Sequence, residues 1–477
     1  MSLTHWIASA VGFEILEKGR NAFDASVATG LVLQVVEPYL DVPAGELPAI
    51  FRLANSDQAQ VLCAQIKAPE KASIRHYKDQ GLTLVPGSGL LATVIPGAFD
   101  GWMLLLRDYG AMTLEDVFNP AIYYAENGHP LLPGAARVIA SLKEFFEAEW
   151  PTSAVTWLPG GIAPEAGKRF CNPVLAQTWW RLLSEVEYIP DREDQIEAAR
   201  KCWSDGFISQ AIDRFIRKTE LKDASGLVNR GVLTGEDMQG WRASYEAPVI
   251  GEYAGWSVAK TGPWGQGPVL LQGLSLLRGF DLGRLDLCGT DFVHIVCEAM
   301  KLAFADREAY YGDPNFCNVP LGRLLSEPHV ATRRALIGDK ASLEQRPSIL
   351  RGYEHLCDGV IERAQCLTSK DLGDDAGEPT MVHLSERCED TVHLDAIDRW
   401  GNVISVTPSG GWLQSSPVIP ELGFALNSRA QMFWLEDGLN QSLAPGARSR
   451  TTPSPCLAWD NNGATMAFGT PGGDQQD

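Results

Sequence analysis

The chain has 477 residues, 45% of them hydrophobic and 21% charged, an ordinary globular composition that excludes disordered, collagenous and coiled-coil classes. Sixty acidic residues against 40 basic ones give a net charge of −20, a surface that repels phosphate backbones and anionic lipid. No stretch reaches the roughly 18–20 uncharged apolar residues that cross a bilayer, so an enzyme acting on small molecules is the class that remains.

The first 40 residues read as two helices. Trp6, Ala10, Phe13 and Leu16 stand at helical spacing, Gly19 stops that helix, and Asn21 caps the next, AFDASVATGLVLQVVEP. The start has no basic segment and no small-residue cleavage site, so it predicts an amphipathic helix and a cytoplasmic protein. Pro43 and Gly45 mark a loop before two strands, AIFRLA and AQVLCAQI. ATVIPGAFDGWMLLLRDYG reads as a short strand, a Pro-Gly turn and a helix, and LEDVFNPAIYYAENG as another helix. Residues 140–230 hold several helical stretches. GEYAGWSVAKTG reads as a strand pair, GPVLLQGLSLLRG as a helix, and DFVHIVCEAMKLAFADREAYYGDP as a long one. Residues 337–390 are polar and irregular, as in an exposed loop. Then TVHLDAIDRWGNVISVTPS alternates: Val392, Leu394 and Ala396 share one face, and Arg399–Asn402 is the turn. GATMAFGTPGGDQQD ends as a strand and a glycine-rich turn with nothing after it, which predicts a C-terminus cut short.

The common catalytic signatures are missing. There is no G-x-S-x-G, no Walker A sequence and no H-E-x-x-H, and the ten cysteines form no C-x-x-C pair. Gly87-Ser88-Gly89 imitates a dinucleotide loop, but Pro96-Gly97 breaks the helix that must follow. An enzyme here needs no metal or cofactor legible from sequence. The remaining candidate is Asp390-Thr391, where polar segment meets β segment. A threonine opening a strand is commonplace. Three neighbours change its weight: Thr391-x-His393, the turn Asp398-x-x-Gly401-Asn402, and Pro471-Gly472-Gly473 after a later strand.

Together with Gly19-x-Asn21-Ala22-x-Asp24-Ala25, Val36-Glu37-Pro38, Ala68-Pro69, Pro96-Gly97, Pro120-Ala121-Ile122, Ala305-Asp306-Arg307 and Gly312-Asp313-Pro314, these residues resemble the gamma-glutamyltransferase family, a branch of the N-terminal nucleophile hydrolases. The resemblance runs over nearly the whole chain. It implies an α+β fold, a four-layer αββα sandwich. It implies a precursor cut between Asp390 and Thr391 into a large part, 1–390, and a small part, 391–477, intertwined in one globular heterodimer, with a dimer of these as a further option. The freed amine of Thr391 then serves its own hydroxyl as base. By position, Ser409 matches a hydroxyl that supports the nucleophile, and Gly472 and Gly473 match the pair forming the oxyanion hole. Thr451 and Thr452 match a paired serine site for a substrate carboxylate. No cofactor is implied, and the partner is a small-molecule amide.

The glutamyl-reading positions depart from the family. The clamping arginine is replaced by Gln65, an asparagine by Gly411, and the ammonium-binding aspartate by Met432, with Arg429 just before it. A one-residue shift at Arg429 and Met432 stays open, but no aspartate lies between Asn427 and Phe433. Methionine cannot neutralise an ammonium, nor glutamine replace a bidentate guanidinium. The expectation is therefore an amide hydrolase or acyltransferase with Arg429, Thr451, Thr452 and Gln65 in the substrate pocket. Its acyl group is anionic and not gamma-glutamyl, either oxamate-like or dicarboxylic. A true gamma-glutamyl hydrolase and a non-catalytic, unprocessed relative are the alternatives, and a structural ion pair is the alternative role for Arg429.

Overall fold

Local signals build the N-terminal helices α1 (Trp6–Glu17) and α2 (Ala22–Val36). Gly19 takes the positive φ of +77° that ends α1. Asn21 opens α2 with a capping box: its side chain accepts from the Asp24 N–H at 2.9 Å, and Asp24 accepts from the Asn21 N–H. The buried face of α1 is not the expected one. Trp6 and Phe13 are exposed, while Ile7, Val11 and Ile15 face inward. Those aliphatic side chains, four apart, allow closer packing on α2 than two large rings would. Every residue of α2 is buried.

The computed structural model describes residues 1–366, 391–473 and 476–477, a mixture of helix and sheet. Ten strands form two sheets. In chain order they are β1 (Ser2–Leu3), β2 (Leu47–Arg52), β3 (Ala59–Ala64), β4 (Ser244–Glu246), β5 (Val249–Tyr253), β6 (Trp256–Lys260), β7 (Leu394–Ile397), β8 (Val403–Val406), β9 (Cys456–Asp460) and β10 (Thr465–Phe468). The first sheet runs β1-β7-β8-β2-β3-β4 and the second β10-β9-β6-β5, with every pairing antiparallel.

Strand alternation sorts the core. One face of the first sheet (Ala49, Phe51, Leu62, Ala64, Leu394, Ile404) packs on α1 and α2 and on α3 (Ala98–Tyr109), α4 (Leu114–Asn127), α5 (Pro173–Val186), α6 (Arg192–Ser204) and α7 (Phe207–Lys218). The other face (Ile50, Val61, Cys63, Val403) meets Ala259 and Leu457 of the second sheet. The far face of that sheet (Val258, Cys456, Ala458) carries Leu271 of α8 (Pro268–Leu277), and α9 (Thr290–Tyr310) lies against α8.

Two further expectations are corrected. Thr93–Ile95 form no strand; a short 3₁₀ turn, Leu90–Ala92, precedes them. The polar region after 337 contains a helix, α10 (Glu354–Cys366), whose Leu356, Cys357 and Val360 pack on Tyr310 of α9. Asp390 lies outside the described residues. No helix among the described residues is long and apolar enough to cross a membrane.

The Gly312-Asp313-Pro314 motif ties α9's exit to the segment feeding β9. Asp313 accepts from Arg448 at Nε (3.1 Å), Nη2 (2.8 Å) and the backbone N–H (2.9 Å), and Arg448 Nη1 reaches Glu246 at 2.6 Å. Burial raises the Asp313 carboxyl, but Arg448's hydrogen bonds and charge outweigh that and hold it below the ordinary carboxylate range. Its stabilisation is therefore present above about pH 4 and lost as pH falls through the lowered folded value. Asp313→Asn should cost about 1.5–3 kcal/mol in denaturant unfolding at pH 7, because Arg448 keeps Glu246 but loses its charged partner at Asp313. It should also flatten the loss of stability that the native chain shows below about pH 4.

Candidate active site around Thr391

The hairpin β7–β8 decides what Thr391 faces. Leu394 pairs with Val406. Carrying that register outward sets His393 opposite Thr407 and Thr391 opposite Ser409. Both pairs touch: His393 Nδ1 lies 2.9 Å from Thr407 Oγ1, and Thr391 Oγ1 lies 3.3 Å from Ser409 Oγ. The β8–β2 register, Val406 with Ala49, extends in the same way to Ser409 and Glu46. Those two exchange backbone bonds, Glu46 N–H to Ser409 O at 2.8 Å and Ser409 N–H to Glu46 O at 3.2 Å. One step beyond Leu47–Ala64 in the β2–β3 register comes Gln65. Thr391, Ser409, Glu46 and Gln65 therefore form one cross-strand row at a single end of the first sheet, and all four are buried.

The second sheet delivers the rest to the same end. Cys456 opposite Phe468 opens the β9–β10 pair, so the segments carrying Thr451-Thr452 and Gly472-Gly473 meet the strands at the same end. Ser405 stitches the sheets together: its hydroxyl donates to Phe468 O and accepts from the Cys456 N–H, both at 3.3 Å. Gly469 lacks a side chain where the His393 ring lies. Beyond it, Gly472 presents its carbonyl oxygen to Thr391 Oγ1 at 3.3 Å, with φ at +142°. Gln476 Nε2 donates to Thr391 Oγ1 at 3.1 Å and to the same Gly472 carbonyl. Gly473 follows directly.

Two loops hold the row in place. Gly45 approaches Ser409 so closely that a side chain there would collide with the Ser409 carbonyl. Its own carbonyl accepts from the Gly97 and Ala98 N–H groups, at 3.0 and 2.8 Å, where α3 begins. Asn427 spends its whole amide on backbone. Nδ2 donates to Ala44 O and Val94 O, each at 2.9 Å, and Oδ1 accepts from Val94 N–H at 3.0 Å and Arg429 N–H at 3.3 Å. Three segments distant in sequence are thereby locked together beside the row.

Arg429 is fully buried, with Nε 2.6 Å from Glu46 Oε1 and its guanidinium carbon 5.6 Å from the Trp412 ring centre. Thr451 Oγ1 donates to the same Glu46 oxygen at 2.6 Å. Among the described residues, the second oxygen, Glu46 Oε2, has no hydrogen-bond partner, nor has Thr452 Oγ1. Gln65 spends its Nε2 on Ser449 O at 2.9 Å and leaves Oε1 without a partner among the described residues. Met432 is buried. The structure thus brings together Thr391, Ser409 and Gly472, and places Arg429 and Thr451 on Glu46. Sequence reasoning missed Glu46, Trp412 and Gln476. Counting the β2–β8 register outward would have found Glu46; nothing local marks the other two.

Comparison with known proteins places this arrangement. A sequence model described as gamma-glutamyltranspeptidase matches residues 8–477. The Acylase ACY 1 proenzyme of Pseudomonas sp. (strain SE83) is 28% identical over 98% of this chain and 75% of its own length. The Glutathione hydrolase-like YwrD proenzyme of Bacillus subtilis (strain 168) is 28% identical over 99% of this chain and 78% of its own. The solved structure of LmbA2991HD superposes with a TM-score of 0.89 at 49% identity, over 100% of this chain and 78% of that one.

Glu46→Ala should cost about 3–5 kcal/mol in urea unfolding, because Arg429 keeps its buried charge and loses the Glu46 carboxylate. Replacing both residues by methionine should recover most of that loss, and a double-mutant cycle reads the coupling directly.

Proposed function

The chain belongs to the gamma-glutamyltranspeptidase family, and from that premise we propose an N-terminal nucleophile amidohydrolase or acyltransferase that matures by cutting itself between Asp390 and Thr391. The observation that carries the reading is the buried meeting of Thr391, Ser409, Gly472 and Gln476 where the two sheets end together. In maturation the Thr391 hydroxyl adds to the carbonyl carbon of residue 390, the C–N bond breaks, and an ester and a free α-amine result. Water then cleaves the ester. An α-amine has a pKa of about 7.7–8.0, so a useful fraction is neutral near pH 7 and takes the hydroxyl proton when Thr391 attacks a substrate amide. Ser409 holds the hydroxyl through the acyl-enzyme cycle, and the Gly472-Gly473 backbone supplies oxyanion donors once the site is cut. Residues 1–390 and 391–477 stay together in a four-layer αββα body.

The acyl group follows from the pocket's charges. Gln65 is committed to Ser449, and Met432 offers no charge. Arg429 supplies a cation for an acid, flanked by Thr451 and Thr452, while Glu46 offsets it and keeps one oxygen for a donor. An acid set beside an N–H suits that pair, which favours an oxamate-like amide over a plain dicarboxylic acyl group. The same Glu46 oxygen is the one feature favouring a gamma-glutamyl substrate, since it can accept from an ammonium.

Mass analysis of purified protein should show pieces 1–390 and 391–477 with Thr391 as a new N-terminus, and Thr391→Ala should stay whole and inactive. Oxamate should be hydrolysed with a kcat/KM roughly 100-fold above that for gamma-glutamyl anilide, the size of one lost buried charge contact. Faster turnover of the glutamyl substrate would reverse the specificity, and a native chain that stays whole would leave the non-catalytic reading.

A further inference from the structure

Gln476 brings a side-chain amide against Thr391, and neither family pattern nor local sequence singles it out. Its side chain is buried, and Nε2 lies 3.1 Å from Thr391 Oγ1. The orientation of an amide is often ambiguous, but here the chemistry resolves it. The second contact of Nε2 is the Gly472 carbonyl oxygen, which can only accept, so the NH₂ end faces the nucleophile. One N–H serves Gly472 and the other serves Thr391. Among the described residues Gln476 Oε1 has no hydrogen-bond partner, and the donor end makes the contacts.

We infer that Gln476 is a catalytic donor for ester breakdown: its N–H holds Thr391 Oγ while that oxygen departs as the leaving group. The inference rests on the self-cleaving reading above. In the breakdown step water adds to the ester carbonyl and gives a proton to the freed α-amine of Thr391. The C–Oγ bond then breaks, and its electron pair goes to Oγ. The α-amine returns the proton to Oγ, so ester and water become acid and alcohol with nothing left over. Negative charge grows on Oγ before the proton arrives. A donor already aimed at that oxygen stabilises this moment and does little for the first attack, in which the same oxygen loses charge as it bonds to carbon. The role repeats in each turnover, because every acyl-enzyme is an ester on the same oxygen.

Self-cleavage tests this without knowledge of the substrate. The full chain is followed by denaturing gel and intact mass after synthesis, as the native sequence, Gln476→Met, Gln476→Ala and Thr391→Ala. Methionine keeps the length and removes the donor. The expected result is cleavage slowed about 100-fold in both Gln476 variants, the usual cost of one such donor. They should also accumulate an uncut ester form, which hydroxylamine at neutral pH splits at 390–391 to a hydroxamate. Thr391→Ala, with no ester, should be inert to hydroxylamine. Formation of that ester itself requires a folded site, so misfolding cannot imitate the result. Variants that cut at the native rate, or that stay whole and resist hydroxylamine, overturn the role of Gln476. A native chain that neither cuts nor responds to hydroxylamine overturns the proposed function as well, and so separates the two failures.

Discussion

The short turn at Asp398–Asn402 governs which side chains meet at the opposite end of the first sheet. Its carboxylate accepts from the Trp400 and Asn402 N–H groups at 3.0 Å, from Asn402 Nδ2 at 2.7 Å, and from the Ala22 N–H at the start of α2 at 3.1 Å. Gly401 takes the positive φ of +94° that the turn demands. With the hairpin closed this way, only one register is possible, and a slip of one residue would turn every side chain to the wrong face. The row Thr391–Ser409–Glu46–Gln65 is the far-end consequence of that closure. Ala22 extends the constraint to the helical layer, tying the start of α2 to the turn of the hairpin that carries Thr391.

Charge beside the Thr391 row is arranged as a dipole rather than as a patch. Glu46 and Arg429 are both fully buried, and their separation of 2.6 Å leaves neither to act on a ligand as an isolated ion. Desolvating two charges is costly and is recovered only when geometry and further hydrogen bonds are good. Thr451 and the face of Trp412 provide them. A pair held this way reads a ligand by the order of its groups along a few bonds, which a single guanidinium on an open surface cannot do. In the proposed reading it would also link the acyl-group site to Thr391, since Glu46 is the backbone partner of Ser409.

Much of this was legible in the amino-acid sequence wherever neighbours within a few residues decide the outcome. The Asn21 cap, the Gly19 stop, both hairpins and the helices at 268–277 and 290–310 follow from caps, turns and periodicity. The buried side of α1 did not, because Trp6 and Ile7 are both apolar and only the shape of α2 chooses between them. The helix at 354–366 was hidden by a polar composition that averages over its Leu356 and Val360. The site was legible as a set of residues but not as a geometry. Arg429 could be singled out, yet its partner lies 383 positions away and no local pattern links them. Gln476 sits in a polar run that reads as a tail. Register is the bridge between the two levels: once strand pairs are granted, simple counting brings Ser409 and Glu46 to Thr391.

The strand order of the first sheet has one more consequence. β7 and β8, from beyond residue 390, lie between β1 and β2, which come from before it. Scission at that junction would therefore leave two polypeptides woven through each other, with backbone ladders on both sides of the inserted hairpin. Dissociation would demand melting the sheet, and recovery afterwards would become a second-order search by two strangers for a topology that a single thread reached once. Maturation would act as a ratchet: the catalyst gains its amine and forfeits the covalent route back to its own fold.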